Sequence, residues 1–193
     1  MKHLPATTRR RIVAITAAAA AGLAISTAAY AATSSGTVAT TAAAVPRCTQ
    51  FDLGVWVAVG QGNGALGTIY YPLEFTNMSG HACSLFGYPG VSAIDGNRRQ
   101  LGSPAGWIRT TTPRTVILAP GATAHTQLAY HDAVVGTEPG CDPVNSAVLL
   151  RIYPPDERAA TYSAFAFQVC SHAGPVYMSI SGPIRAGVGT ISG

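Results

Sequence analysis

The chain has 193 residues, of which 48% are hydrophobic and only 10% are charged. This composition excludes an intrinsically disordered chain, which carries more charge, and a long coiled coil, which is rich in Ala, Glu, Lys, Leu and Arg. Four of the 12 basic residues precede residue 12, and the other 8 balance the 8 acidic residues. Because the net charge of +4 comes from the N-terminus, we expect neither nucleic-acid binding nor electrostatic membrane docking.

The first 31 residues have the pattern of a signal peptide. A basic segment over residues 2–11 precedes an uncharged, Ala-rich stretch over 12–29, and Ala29-Tyr30-Ala31 has the small-x-small pattern of a cleavage site. We predict cleavage after Ala31, and hence a secreted or cell-wall-associated protein without a stable membrane anchor. An uncleaved anchor is the alternative, but Ala is weakly apolar and no basic stop-transfer cluster follows. Thr8-Arg9-Arg10-Arg11 resembles a twin-arginine signal, so the export route, general secretory or twin-arginine, stays open.

Four cysteines lie in the predicted exported part: Cys48, Cys83, Cys141 and Cys170. An even number of cysteines in an exported chain predicts two disulfides. Three pairings are open, and the shortest non-overlapping loops favour Cys48–Cys83 with Cys141–Cys170. A zinc site is the alternative, but the sequence has no C-x-x-C spacing to support it.

The pattern of the chain changes at residue 48. Residues 32–47 are rich in Ala, Thr and Ser and predict a disordered linker. From residue 48 apolar residues recur with period two between turn signals; for example, the alternation places Leu73 and Phe75 inward and Glu74 outward. The predicted strands cover 52–59, 69–77, 83–86, 91–94, 115–118, 123–130, 148–153, 162–169 and 176–180, and a single helical turn is expected over 143–147.

This spacing of strands predicts an all-β fold, a two-sheet immunoglobulin-like β-sandwich stapled by two disulfides. We expect the β-sandwich domain to cover residues 48–184 and a flexible, Gly-rich tail to cover 185–193.

Residues suited to catalysis are few. The sequence has no G-x-S-x-G elbow leading into a helix, and most of its carboxylates occur in turn contexts. His125, His131 and Asp132 are the best candidates, because even spacing puts both imidazoles on one face of a strand, where they could bind zinc or copper. However, six residues at about 3.3 Å each separate the imidazoles too far for one ion. We expect no catalytic residue, no metal and no cofactor.

Aromatic residues favour a binding surface. Tyr70, Tyr88, Trp107 and Tyr130 fall on predicted outward positions or in loops, where aromatic rings supply contact area at small entropic cost. The structural alternative, which the common partial burial of Trp and Tyr favours, is that Trp107 caps the core and Tyr88 packs in a turn. We predict that a monomer presents these rings to an unknown envelope or extracellular partner.

Several motifs are distinctive together. They are Cys48-Thr49 with Asp52-Leu53, F-T-N-x-S-G-x-x-C-x-L-x-G-Y-P-G-V over 75–91, L-A-P-G-A-T-A-H over 118–125, C-x-P over 141–143 and R-I-Y-P-P over 151–155. Over about residues 47–183 the chain resembles a family of exported actinobacterial proteins described as a domain of unknown function, many of which look like envelope lipoproteins. The resemblance implies a disulfide-bonded β-sandwich and assigns no catalytic residue. Unlike those lipoproteins, the chain has no cysteine at the cleavage site.

We therefore predict a secreted, non-catalytic β-sandwich that acts as a binding or envelope-associated module. Two alternatives stay open. One is a secreted enzyme with a loop-built site around His125, His131 and Asp132, and the other is an extracytoplasmic metal-binding protein that uses the same residues.

Overall fold

Strands make up most of the part of the chain that the computed structural model describes, which is residues 44–65, 67–131, 144–170 and 177–190. Within these residues the only helical element is a single 3-10 turn, Val59–Gln61, and no helix is long and apolar enough to cross a membrane. The predicted signal peptide, the cleavage site after Ala31, most of the linker, Asp132 and Cys141 lie outside the described residues.

The larger sheet has seven described strands: β1 Leu53–Val57, β2 Asn63–Ala65, β3 Thr68–Asn77, β7 Gly106–Ile108, β9 Thr123–His131, β12 Met178–Ser181 and β13 Arg185–Ala186. Their order is β1-β3-β9-β12-β7, with β2 paired to β3 and β13 paired to β9. All pairs are antiparallel except β12 with β7. The long pair β3–β9 sets the register of this sheet, since Leu73 lies opposite Thr126 and Phe75 lies opposite Ala124.

Two smaller sheets complete the described fold, with the strands β4 Cys83–Leu85, β5 Gly90–Ile94, β6 Gln100–Leu101, β8 Val116–Leu118, β10 Val144–Tyr153 and β11 Thr161–Cys170. One has four strands in the order β11-β10-β5-β6, and the other pairs β4 with β8. A turn that begins at Asp95-Gly96 joins β5 to β6, and Asp95 Oδ1 accepts hydrogen bonds from the amides of Asn97 and Arg99 at 2.9 and 2.8 Å.

One apolar core joins the sheets. Leu73, Phe75 and Leu128 of the larger sheet belong to the same buried cluster as Leu150 and Ile152 of the four-stranded sheet. Burial of each such side chain stabilises the fold by about 1.5–3 kcal/mol. The prediction of an all-β fold is therefore confirmed.

The disulfide Cys48–Cys83 is confirmed and fastens the start of the domain to β4. Next to it, the amide of Ser84 donates to Pro46 O at 2.8 Å, and the amide of Cys48 donates to Ser84 O at 2.9 Å. The second predicted disulfide, Cys141–Cys170, involves a residue outside the described part and stays a prediction.

Two segments differ from the sequence-based expectation. Residues 144–147, expected as a helical turn, begin β10 instead, because Val144 pairs with Cys170 of β11. Residues 185–190, expected as part of a tail, lie against the larger sheet: Arg185 pairs with His125 in β13–β9, and the amide of Gly189 donates to Glu74 Oε1 at 3.0 Å. The described fold therefore continues beyond residue 184.

Candidate functional site

A groove of about 940 Å³ lies where several loops meet, and we call it the aromatic groove. Its walls combine aromatic rings, threonine hydroxyls and charged side chains of both signs. This mixture of apolar faces and a few polar groups is typical of ligand-binding sites. The lining side chains used below are Phe86, Tyr88, Trp107, Tyr153, Thr110–Thr112, Arg47, Arg109, Arg158, Asp156 and Glu157.

The segment Gly87-Tyr88-Pro89-Gly90 builds the floor of the aromatic groove. Gly87 has a φ of +100°, a conformation that L side chains rarely adopt, and this turn directs Tyr88 into the groove. The Tyr88 ring stacks on the Trp107 ring, with centroids 5.6 Å apart and an interplanar angle of 24°. Trp107 Nε1 donates to Pro89 O at 2.8 Å. One short segment thus fixes both rings.

The loop between β7 and β8 forms one wall. Its residues Thr110–Thr112 are exposed, and the Tyr88 hydroxyl donates to Thr111 O at 3.1 Å. The same tyrosine therefore contributes a ring to the floor and a hydrogen bond that positions the wall. Threonine hydroxyls can donate and accept hydrogen bonds, so this wall suits a polar ligand.

Three arginines give the aromatic groove cationic character. The Arg109 guanidinium lies 4.9 Å from the centroid of the Trp107 ring, and such a face contact leaves its N–H donors available to a ligand. In the described part of the chain, ion pairs occur only between His81 and Asp52 and between Arg99 and Asp95. Arg47, Arg109 and Arg158 therefore have no carboxylate partner among the described residues.

The two carboxylates of the aromatic groove follow one another in a turn. Glu157 Oε1 accepts hydrogen bonds from the amides of Arg158 and Ala159 at 2.7 and 3.2 Å, so its carboxylate stabilises the turn. Asp156 is exposed and has a φ of +61°. The three arginines of the aromatic groove therefore outnumber its two carboxylates.

Two of the four predicted surface aromatics, Tyr88 and Trp107, meet in the aromatic groove. Trp107 is 45% exposed, so it does not cap the core. Tyr130 does not line the aromatic groove; it is only 6% exposed, and its hydroxyl donates to Gln168 O at 2.9 Å. Tyr70 lies in β3 opposite Ala129 and does not line the groove.

The two candidate histidines, His125 and His131, have different hydrogen-bond partners. His125 Nδ1 donates to Gly187 O at 2.8 Å, whereas His131 Nδ1 lies 3.0 Å from Thr68 Oγ1. Among the described residues no three His, Cys, Asp or Glu side chains are grouped to hold a metal. Asp132 lies outside those residues, so the complete predicted trio is not described.

Sequence reasoning missed Phe86, Tyr153 and the arginines of the aromatic groove. The available signals were the position of Tyr153 within the R-I-Y-P-P motif and the position of Phe86 directly before the G-Y-P-G motif. Gly90 packs closely on Tyr153, since a Cβ at Gly90 would lie 3.5 Å from Tyr153 Cβ. The two motifs therefore meet at the groove.

A comparison with protein families shows which family the chain belongs to. Residues 48–177 match the family described as a domain of unknown function, DUF4232. The chain belongs to the DUF4232 family. No curated protein and no solved structure matches it. The resemblance to a domain of unknown function is thus confirmed, and the role of this DUF4232 domain has to be argued from its aromatic groove.

Proposed function

We propose that this DUF4232 domain is an exported, non-catalytic binding module with an immunoglobulin-like β-sandwich outline, and that the aromatic groove is its binding site. The observation that carries the proposal is the stacked pair of Tyr88 and Trp107 in an open groove. Large aromatic rings left partly exposed in a concave site are characteristic of contact surfaces.

The rings are fixed in position without a ligand, which supports binding. Trp107 is held through Nε1 by Pro89 O, and Tyr88 is held through its hydroxyl by Thr111 O. A ligand therefore has little side-chain entropy to remove when it binds, and preorganisation of this kind raises affinity.

Export is supported by two independent features. The N-terminal basic segment, apolar stretch and Ala29-Tyr30-Ala31 have the order of a signal peptide. The Cys48–Cys83 disulfide is of a kind that persists in oxidising, extracytoplasmic environments. The binding partner is accordingly expected outside the cytoplasm.

A non-catalytic role is supported by the chemistry of the groove. Glu157, one of its two carboxylates, is engaged by turn amides. Tyr, Trp, Thr and Arg side chains bind and orient ligands, whereas general acid–base chemistry needs a positioned proton donor and acceptor.

Matched tryptophan variants test the proposal. Trp56 in β1 and Trp107 are similarly exposed, at 40% and 45%, but only Trp107 lines the aromatic groove. We expect Trp107→Ala to weaken binding of solubilised cell-envelope fragments at least about 10-fold, the effect of a central aromatic contact, and Trp56→Ala to leave it unchanged. Saturation-transfer NMR on the fragments, with amide spectra to verify folding, measures both.

Equal binding by the wild-type protein and Trp107→Ala would refute the groove as the binding site. Conversion of a fragment into a product during the NMR series would refute the non-catalytic role.

A further inference from the structure

A second groove, of about 590 Å³, adjoins the aromatic groove across the same loop. Thr110–Thr112 line both grooves, so the loop forms a shared ridge between them. The second groove is also lined by Arg114, which belongs to the same loop, and by Arg185 of β13. The amide of Ile184, which also lines it, donates to Gly87 O at 2.9 Å. The two grooves therefore share one backbone frame.

Arginines are concentrated on this surface. All 8 basic residues that follow the predicted leader are described, and five of them line the two grooves, where they outnumber the two lining carboxylates among the five described acidic residues. None of the five has an ion-pair partner among the described residues. Because the chain after the leader is neutral overall, this local excess is matched best by an anionic ligand. The five are Arg47, Arg109, Arg158, Arg114 and Arg185.

We propose that the ligand is an acidic polysaccharide chain that crosses the Thr110–Thr112 ridge and occupies both grooves. This inference rests on the proposed function, since it names the ligand class of the same site. Guanidinium groups bind carboxylate and phosphate groups through paired N–H donors. Threonine hydroxyls complement sugar hydroxyls, and the apolar faces of sugar rings can pack on Tyr88 and Trp107.

The neutral overall charge favours a polysaccharide over a nucleic acid. Binding of nucleic acids is dominated by a broad field from basic residues that neutralise successive phosphates. Here five of the eight arginines that follow the predicted leader line two adjoining grooves, and three threonines lie between Arg109 and Arg114 along the chain. Such spacing suits a chain in which uncharged hydroxyls alternate with acidic groups.

Charge and length are tested with defined oligosaccharides. The probes are a galacturonate hexamer, its fully methyl-esterified form, a galacturonate dimer, a phosphodiester-linked sugar hexamer and single-stranded hexathymidylate. We expect calorimetry to show that at least one of the two acidic hexamers binds at least about 10-fold more tightly than the uncharged methyl ester. Its affinity should fall as the salt concentration is raised. The tighter of the two acidic hexamers shows whether carboxylate or phosphate is recognised.

Arginine variants test the second groove separately from the first. We expect Arg114→Gln and Arg185→Gln each to weaken binding of the acidic hexamer by about 3- to 10-fold, and to leave the dimer unaffected. Arg98→Gln is the matched control, because Arg98, like Arg114 and Arg185, has no ion-pair partner among the described residues but lines neither groove.

Each contrary result has a distinct meaning. If neither acidic hexamer binds more tightly than the uncharged ester, the inference is overturned; if Trp107→Ala still weakens envelope-fragment binding in that case, the proposed function stands. Equal binding of dimer and hexamer, with no effect of Arg114→Gln, overturns the role of the second groove. Preference for hexathymidylate over both acidic hexamers overturns the polysaccharide in favour of nucleic acid. Loss of envelope-fragment binding in Trp56→Ala alone refutes the proposed function itself.

Discussion

Asn77 joins three chain segments from a fully buried position, with 0% of its surface exposed. Its Nδ2 donates to His81 O at 2.8 Å and to Leu118 O at 2.9 Å. Its Oδ1 accepts a hydrogen bond from the amide of Ser79 at 2.9 Å. One side chain thus connects the end of β3 with the turn before β4 and with the end of β8.

We expect Asn77→Ala to destabilise the domain by about 2–4 kcal/mol. The substitution removes the donor from Leu118 O, whose bond to Asn77 is buried, at a cost of about 1–2 kcal/mol. It also removes one donor from His81 O, at a cost of about 0.5–1 kcal/mol, because that carbonyl still accepts a hydrogen bond from the Ser79 hydroxyl at 3.1 Å. It also removes the bond from the part-exposed Ser79 amide, worth about 0.5–1 kcal/mol because water can replace it. A loss of this size is a large share of the 5–15 kcal/mol typical of a folded domain.

Urea denaturation followed by circular dichroism measures the loss, and Ser79→Ala is the control. That variant removes only the Ser79 hydroxyl, which lies 2.7 Å from Asn77 Oδ1, and should cost about 0.5–1.5 kcal/mol. If Asn77→Ala lowers the free energy of unfolding by less than about 1 kcal/mol, the energies assigned to its hydrogen bonds are refuted.

Asn77→Asp tests the same reasoning through pH. Burial and the facing carbonyls should raise the pKa of the introduced carboxyl in the folded state. A raised folded pKa means that the variant is most stable below the unfolded pKa of about 4 and loses stability as the pH rises through the folded value. A destabilisation that stays constant between pH 3 and pH 7 would show that the carboxyl does not face those carbonyls.

Two further predictions concern Asp52 and the C-terminal segment. The amide and hydroxyl of Thr49 both donate to Asp52 Oδ2 at 2.8 Å and hold the pKa of Asp52 below its ordinary value. Asp52→Ala should therefore cost about 1–2 kcal/mol at pH 7, and urea titrations should show the difference shrinking as the pH falls below about 4; a constant difference would contradict this. Gly189→Ala should speed hydrogen exchange of the Gly187 amide, because a Cβ would lie 2.5 Å from Pro72 Cβ; unchanged exchange, as expected for Thr190→Ala, would contradict it.

The long strands could be predicted because burial imposes period two on their sequences. In β3, Leu73 and Phe75 are both fully buried, and the alternation alone identifies them. The strands β6 and β7 have only two and three residues, too few for a period to show. Their existence depends on partners supplied by β5 and β12, which local sequence does not specify.

Glu74 shows a second limit of local patterns. The alternation correctly places it on the opposite side of β3 from Leu73 and Phe75, yet it is only 7% exposed. Its cover comes from Gly189, at a separation of 115 residues along the chain. Burial that depends on the return of a distant segment is decided by tertiary packing, and no period within β3 reports it.

The aromatic groove combines both cases. Tyr88 and Trp107 could be predicted because each has an aromatic ring beside a turn or in a loop. The arginines could not, because Arg47, Arg109 and Arg158 approach one another only after three separate loops have folded. Arg47 depends on a further constraint, since the Cys48–Cys83 disulfide and its bridge to Ser84 fix its backbone.

The turn motifs therefore have two structural consequences. Asn77 in the T-N-x-S-G motif fastens β3 to β8, so that motif is explained by stability alone. The G-Y-P-G motif differs, because its hydrogen bonds hold Trp107 and the Thr110–Thr112 loop while Trp107 stays 45% exposed. Exposure alone does not distinguish Trp107, since Trp56 is 40% exposed; the difference is that these hydrogen bonds hold Trp107 in the wall of a groove, stacked on Tyr88. The exposure that this turn preserves is what the proposed ligand would cover.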